Sequence, residues 1–429
     1  MGIAHVSYLV FLSVAGEQVE VETKVAPVAW TASAQLGMGQ LDGGAAALLR
    51  PRLELGGSKA RAVLSAPIWL DLIEHRLRNN GERQEQLRPR WLGRSHDPET
   101  YLGFIERLAY ETADHTAAVT LGTVSGESLG HGVLVDHYQS TLDPLRPHTG
   151  GRFDLNVGDV SAGVLCGSLT APHLVATSLL LAPLAGTAVD PDRRLHLGIE
   201  GGLDPSAPAG SGRRPMGGGS LDLGYTLVRG DHVTVETYGA AVLLSTLAAG
   251  THTGLRLEVG QDPATVTGRL EAVWSGHDYT PGYFDIAYEA ERLSDPESGR
   301  PAKADLRHPK GLGARARLEA RAAMLRFGAG AAIRERDAPL ALSAYVAITS
   351  ERLSLAAMWS QRSLARFADL GRIGRTGAAL VDLSVNVVDN LFLFGQARRS
   401  LRGDGPRRQP VFDWVGGLGL GLASAEAGG

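Results

Sequence analysis

From residue 193 onward the chain repeats one pattern: segments of about ten residues in which apolar and polar side chains alternate, separated by turn residues. In the segment Thr253–Val259, for example, Leu255, Leu257 and Val259 alternate with polar or charged residues. Because successive side chains of a β-strand point to opposite faces of the sheet, the pattern predicts strands with one apolar and one polar face. Sustained over more than half of the chain, it predicts an all-β protein.

The length and charge of these segments favour a membrane-spanning barrel over a soluble sandwich. The segments have about 9–12 residues, enough to cross a bilayer at a tilt, whereas strands of soluble proteins typically have about 5–6. Their polar faces carry full charges, which a water-filled lumen accommodates. We therefore predict a transmembrane antiparallel β-barrel of about 16 strands, within a range of about 16–18, with a soluble β-sandwich or solenoid as the alternative.

Aromatic residues lie near many of the proposed strand ends. Since such residues form girdles at both bilayer interfaces of membrane barrels, we expect that role for them here, with ordinary core packing as the alternative. The set includes Trp30, Trp274, Tyr283, Phe284 and Phe412.

The connections between the segments divide into tight turns and long polar loops, as in outer-membrane barrels. We predict a barrel over residues 31–425, preceded by an N-terminal segment at 16–30. Long loops are expected at residues 75–97, 201–219, 294–311, 362–376 and 402–409. Two regions leave the strand count open, because 313–334 fits either one long strand or a hairpin, and 68–115 fits strand or helix.

The first 15 residues permit two interpretations. An apolar stretch, Val6–Leu12, is followed by Ser13-Val14-Ala15, which has the small-x-small form of a signal-peptidase site and predicts a truncated signal peptide over residues 1–15. No basic residue precedes the apolar stretch, so a first buried strand is the alternative.

Composition excludes several classes of function. A net charge of −4 provides no basic footprint for nucleic acid. Cys166 is the single cysteine, which excludes a disulfide framework, a cysteine zinc site and a CxxC redox pair. The 13 histidines have no ligand-like spacing, so we expect no metal and no cofactor. Ser128, His131 and His137 are close in sequence, but no Gly-x-Ser-x-Gly element accompanies them, and we expect no enzyme.

Some short motifs are more specific than the alternation. They are Ser128-Leu-Gly-His-Gly132, Asp136-His-Tyr138, Pro147-His-Thr-Gly150 and Tyr283-Phe-Asp-Ile-Ala-Tyr288, followed by Glu291-Arg292. Together they resemble a family of porin-like outer-membrane β-barrels of myxobacteria and related deltaproteobacteria. The resemblance covers roughly residues 97–295; it implies the fold and the location, and no catalytic residues.

A barrel of this size leaves room for an aqueous channel. The leading hypothesis is a porin-like channel for small polar solutes or ions in the outer membrane of a Gram-negative bacterium, surrounded by lipid. Its partners would be copies of itself or other envelope proteins. The alternative is a structural barrel that anchors a larger envelope machine, of motility or secretion type, and conducts little. The predicted pore-lining residues are the charged members of the polar faces, namely Arg256, Glu258, Arg269, Glu271, Asp285, Glu289, Glu291, Arg315, Arg317, Glu319 and Arg321.

Overall fold

The computed structural model describes most of the chain, in ranges that begin at residue 29 and end at 423. These are residues 29–41, 44–57, 59–71, 102–140, 149–170, 172–190, 192, 194–209, 212–261, 263–286, 288–292, 302–334, 340–350, 352–364, 377–388, 390–402 and 409–423. No helix within them is long and apolar enough to span a membrane. The predicted signal peptide lies outside the described residues.

The described residues form β-strands almost throughout. In chain order the strands are β1 (Ala29–Leu41), β2 (Gly44–Gly56), β3 (Ala60–Ser65), β4 (Ile68–Asp71), β5 (Ile105–Glu111), β6 (Ala117–Gly122), β7 (Ser125–Glu127), β8 (Val135–Asp136), β9 (Tyr138–Gln139), β10 (Gly150–Val157), β11 (Val160–Cys166), β12 (Val175–Leu181), β13 (Leu195–Ala209), β14 (Gly212–Arg229), β15 (Val233–Leu244), β16 (Ala249–Gln261), β17 (Ala264–Ser275), β18 (Phe284–Asp285), β19 (Gly311–Ala322), β20 (Leu325–Arg334), β21 (Leu340–Thr349), β22 (Leu353–Leu364), β23 (Gly377–Val388), β24 (Leu391–Arg402) and β25 (Gln409–Ala423). A short helix, α1 (Tyr288–Glu291), and a 3-10 turn, Lys303–Asp305, complete the set.

The strands close into one antiparallel barrel. Each wall strand pairs with the next, and β25 pairs with β1 from Thr31↔Ala423 to Gln40↔Trp414, which closes the ring. β3 and β4 both pair with β2 and together fill one position, so the wall has 20 strand positions. The strands β7, β8, β9 and β18 are not part of this wall.

The prediction of a transmembrane-type barrel is confirmed, but the predicted number of about 16–18 strands was too low. Residues 313–334 form a hairpin, β19 and β20, and not a single strand. In addition, β5, β6, β10, β11 and β12 are neighbours with only 6–8 residues each. Strands this short contain too few alternations to be counted from sequence. By contrast, β13–β17 have 12–18 residues, so the wall is low on one side and high on the other.

The alternation of side chains divides the wall into an apolar outside and a polar inside. On β14 the outward Leu221 and Leu223 are 54% and 53% exposed, while Asp222 between them is 1% exposed. The same holds on β16, where Leu255 and Leu257 are exposed. Such an apolar exterior suits hydrocarbon, and a closed ring satisfies the backbone groups that a bilayer leaves without water.

Exposed aromatic side chains lie near both ends of the barrel. Trp274, Phe412 and Trp414 are near the rim from which the long connections 72–104, 123–149 and 276–310 leave, which we call the long-loop rim. Trp30 and Tyr225 are near the opposite, short-turn rim, where 158–159, 230–232 and 323–324 connect strands. Their positions agree with interfacial girdles.

The prediction of a long loop at residues 201–219 is wrong for the described residues of that range, because 201–209 and 212–219 continue β13 and β14. The many glycines there suggested a loop, but their role is to let other parts of the chain approach the wall. A Cβ atom on Gly202 would lie 2.8 Å from the ring of Phe284, and one on Gly218 would lie 3.3 Å from Leu134. Of the other predicted loops, 75–97 lies wholly outside the described residues, as do residues 294–301, 365–376 and 403–408 of the remaining three.

Candidate functional site

Two connections of the long-loop rim fold back into the barrel. We call residues 123–140 the first inner segment, and the described residues of 276–310 the second inner segment. In the first, His131 contacts β14 and β15; in the second, Ile286 packs against Met358 of β22. Only segments inside the ring can contact strands on such different sides of it.

Asp285, Glu289 and Glu291 were predicted to lie on the polar face of a wall strand, and this prediction was wrong. Phe284 and Asp285 form β18, which pairs in parallel with Val135 and Asp136 of β8, and α1 follows. The apolar residues of this stretch pack inside the barrel, where Phe284 and Tyr288 belong to one apolar core and Ile286 packs against Met358.

An apolar core joins the inner segments to the wall. Leu134, Tyr138, Phe284 and Tyr288 are almost completely buried in it. The ring of Phe284 lies 4.9 Å from that of Tyr288 and 5.0 Å from that of Tyr283, in edge-to-face geometry. Tyr283 and Phe284, expected at a bilayer interface, therefore belong to the interior of the protein.

The most highly charged contact of the lumen centres on Asp136 in the first inner segment. Its carboxylate accepts hydrogen bonds from Arg269 Nη2 at 3.1 Å, from Arg317 Nη1 at 3.3 Å and from Arg315. Burial by itself raises the pKa of Asp136, but the three guanidinium groups hold that pKa well below its usual range. The side chain is therefore a permanent anion in the centre of a cationic cluster.

Two wall carboxylates complete this cluster. Arg315 Nη1 lies 3.1 Å from Glu271 Oε2, and Arg317 Nε donates to Glu319 Oε1 at 2.7 Å. Three arginines thus face three carboxylates, of which one belongs to the inner segment and two to the wall. The charges balance, with His137 adding a positive charge when it is protonated.

The structure brings Ser128 and His137 together, with Oγ and Nδ1 at 2.8 Å. However, the same Nδ1 lies 3.0 Å from Asp136 Oδ1, and Nε2 lies 3.0 Å from Glu319 Oε1. Burial lowers the pKa of His137, but the two carboxylates outweigh this and raise it. Both ring nitrogens thus face carboxylates, and the arrangement holds the inner segment in place against the wall.

His131 makes a second polar attachment of the first inner segment to the wall. Its Nδ1 lies 3.1 Å from Asp222 Oδ1 and its Nε2 lies 3.2 Å from Glu236 Oε1, while its ring stacks on Tyr238 at 4.3 Å. Although burial lowers the pKa of His131, the hydrogen bonds and charges of the two carboxylates raise it to about 9. The side chain therefore acts as a cationic bridge between β14 and β15.

The second inner segment has its own buried ion pair. Asp204 of β13 accepts hydrogen bonds from Arg292 Nε at 2.5 Å and from Tyr288 Oη at 2.7 Å. Glu289 accepts a hydrogen bond from Tyr138 at 2.5 Å, which links the two inner segments to each other. Both inner segments are thus fixed by apolar packing and by buried charged hydrogen bonds.

The predicted pore-lining residues fall into two groups. The first lies on the polar face of β16, β17 and β19 and comprises Arg256, Glu258, Arg269, Glu271, Arg315, Arg317, Glu319 and Arg321. The others belong to the second inner segment and not to the wall: Asp285 in β18, with Lys303 Nζ at 3.1 Å, and Glu289 and Glu291 in α1.

Sequence reasoning missed the partners that these residues meet inside the barrel. Asp136, His131 and Asp204 carry no alternation signal, because two of them belong to connections and the third lies in a predicted loop. The one available signal was the pair of motifs at 128–132 and 136–138, whose residues form the first inner segment.

A further polar chain follows the wall on β2, β24 and β23. Arg50 Nη2 donates to Gln396 Oε1 at 3.2 Å, and Gln396 Nε2 donates to Asp382 Oδ1 at 2.8 Å. Because buried polar groups are costly unless they are hydrogen-bonded or hydrated, these side chains form a polar strip on the inside of that wall, beside an apolar cluster of Leu48, Phe394 and Val415.

A closed barrel with an apolar exterior, aromatic residues at both rims and a charged interior defines the class of the protein: it is an outer-membrane β-barrel. Barrels of this type span outer membranes, which agrees with the location predicted from the sequence.

Comparisons with known proteins add no name to this class. No family model matches the chain. No curated protein matches it either. Among solved structures it is similar to Wzi of Escherichia coli, described as a carbohydrate-binding β-barrel involved in group 1 capsule assembly, at 12% identity over 92% of this chain and 84% of that one, with a TM-score of 0.33.

Two further similar structures are OccAB2 of Acinetobacter baumannii and OccK9 (OpdG) of Pseudomonas aeruginosa. OccAB2 is 12% identical over 93% of this chain and 98% of its own, with a TM-score of 0.33. OccK9 is 10% identical over 92% and 98%, with a TM-score of 0.34. At these values the matches contain no information about a substrate or a partner.

Proposed function

We propose that the protein is a porin-like channel for small polar solutes or ions, narrowed by the two inner segments. The observation that supports this most is the polar chain of Arg50, Gln396 and Asp382, on a part of the wall away from the residues that anchor the inner segments. The three side chains are partly exposed and hydrogen-bond to one another and not to an inner segment, as expected for a wall that faces water.

The strand number supports the same proposal. Barrels of about 16–18 strands leave an aqueous channel, and barrels of about 22 strands enclose a plug. A ring of 20 positions lies between these sizes. It is wide enough to contain two inner segments on one side and water on the other.

The charges of the interior indicate weak selectivity. Arginines and carboxylates alternate along the same strand faces, as in the pair Arg256 and Glu258, whose Nη2 and Oε2 atoms are 2.9 Å apart. Because selectivity follows from an excess of one charge at a constriction, a balanced interior should pass both signs.

Conductance across a planar lipid bilayer tests this proposal. The folded protein, identified by its faster migration on an unheated gel, should give discrete current steps in potassium chloride, and a boiled sample of the same preparation should give none. Current steps support the channel.

The alternative is a structural barrel, and the large apolar core between the inner segments and the wall favours it. If the folded protein gives no current at any voltage, the channel proposal fails and the barrel is better explained as an anchor for other envelope proteins.

A further inference from the structure

The registers of β16, β17 and β19 place three arginines side by side at the same height of the wall. Arg256 of β16 lies directly opposite Arg269 of β17, which lies directly opposite Arg317 of β19. Like charges directly opposite each other destabilise a sheet, so the wall by itself requires anions at this height. We call these three residues the arginine row.

The anions of the row come from two sources. Glu258 accompanies Arg256, and Glu319 accompanies Arg317, each from the same strand as its partner. Arg269 makes just a long contact with Glu271, with Nε and Oε1 3.7 Å apart, whereas its Nη2 donates a hydrogen bond to the carboxylate of Asp136 at 3.1 Å. The centre of the row is therefore neutralised by a residue that does not belong to the wall.

The carboxylate of Asp136 occupies the position that a bound anion would take. Arg269 and Arg317 contact it from the row and Arg315 contacts it from the neighbouring position on β19, so three guanidinium groups surround one carboxylate. Guanidinium groups bind oxyanions through paired, charge-assisted hydrogen bonds, and this geometry is such a site. The row continues from this buried centre to Arg256, whose side chain is 43% exposed.

We propose that Asp136 sets the charge selectivity of the lumen, because its carboxylate occupies an anion-binding site that the arginine row would otherwise offer to small inorganic anions. This proposal rests on the proposed channel function. With the carboxylate present the row is neutral at its centre. Without it, the three guanidinium groups, whose side chains are 11–13% exposed, carry one uncompensated positive charge that attracts small anions from the permeating solution.

The first test replaces Asp136 by its uncharged isostere. Asp136→Asn should shift the reversal potential in a potassium chloride gradient towards chloride, raising the chloride-to-potassium permeability ratio severalfold. The matched control is Asp192→Asn, which removes a carboxylate that pairs with Arg194 at 2.9 Å in a turn of the short-turn rim and should leave the ratio unchanged. A folded Asp136→Asn variant with wild-type selectivity would overturn the proposal.

A double variant separates charge from altered structure. In Asp136→Asn/Arg317→Gln one negative and one positive charge are removed together, so the net charge of the cluster is that of the wild type. We expect selectivity to return towards the wild-type value. If the double variant is as anion-selective as the single one, the shift has another origin and the proposal fails.

A measurement without current distinguishes failure of this inference from failure of the channel proposal. The melting temperature of folded Asp136→Ala, which empties the position of the carboxylate, should rise in detergent when gluconate is exchanged for chloride at constant ionic strength, more than that of the wild type. If no variant conducts but this difference is present, the channel is refuted and the anion site is supported. If neither current nor a chloride-dependent difference is found, both are refuted.

Discussion

An arginine on the outer face of β16 measures how deeply that face lies in the bilayer. Leu255 is the seventh of the thirteen residues of β16 and is 50% exposed, so it lies at mid-height of the wall and points outward. Arginine at the bilayer midplane costs about 2–4 kcal/mol in membrane barrels and about 0–1 kcal/mol near the interfaces. We therefore expect Leu255→Arg to lower the free energy of unfolding by about 2–4 kcal/mol.

The position two residues further along the strand gives a depth scale. Two residues correspond to about 6.6 Å along the strand, or about 5 Å of depth at a tilt of about 40°. Leu257→Arg should therefore cost less than Leu255→Arg. The inward Glu258→Arg is the control; it loses an exposed ion pair with Arg256, worth about 0–1 kcal/mol, and meets water and not lipid.

Urea titration of the three variants in phospholipid vesicles, followed by tryptophan fluorescence, gives these free energies. The order of cost should be Leu255→Arg, then Leu257→Arg, then Glu258→Arg. If Glu258→Arg is as costly as Leu255→Arg, the two faces of β16 have been assigned wrongly and the membrane-spanning barrel with it.

Three further changes test the inner segments. The pKa of His131 is raised from 6.5 to about 9 in the folded protein, so protonated His131 stabilises the fold fully below pH 6.5. This contribution to the free energy of unfolding, at most about 3 kcal/mol, is lost as the pH rises to about 9. Urea titrations at pH 6 and pH 9.5 should show the loss in the wild type and not in His131→Ala. Asp204→Asn leaves the charge of Arg292 buried without its partner and should lower the free energy of unfolding by about 3–5 kcal/mol in the same titration. A variant as stable as the wild type would mean that this ion pair does not stabilise the fold. A Cβ on Gly250 would lie 2.2 Å from the ring of Tyr279, so Gly250→Ala should displace the second inner segment and make it sensitive to added protease; resistance equal to the wild type would contradict the packing described.

The wall could be predicted from sequence because the alternation of apolar and polar residues within a long strand is enough to identify it. Leu221, Leu223 and Tyr225 indicate an outward face without reference to any other part of the chain, since lipid selects apolar residues at every second position. The number of strands could not be predicted in this way, because strands of 6–8 residues, such as β6 and β12, provide just three or four positions per face.

The lumen could not be predicted in the same way, because its residues are selected by partners distant in sequence. Asp136 meets arginines more than a hundred positions away, and no local pattern connects them. Glycine was the misleading signal: the chain has 55 glycines, and several of them, such as Gly202 and Gly250, are wall positions against which Phe284 and Tyr279 pack. In a soluble protein the same density of glycine would indicate loops.

The unequal height of the wall bears on the membrane around the protein. On the low side, formed by β5, β6 and β10–β12, strands of about 7 residues rise only about 18 Å at a tilt of about 40°, whereas the 12-residue strands of the high side rise about 30 Å. Lipid next to the low side must become thinner by several ångströms to match the hydrogen-bonded height, at a fraction of a kcal/mol for each ångström. Two barrels that turn their low sides towards each other share one thinned patch and not two. We therefore expect the lipid to favour pairs of copies in this orientation, without any contact between their side chains.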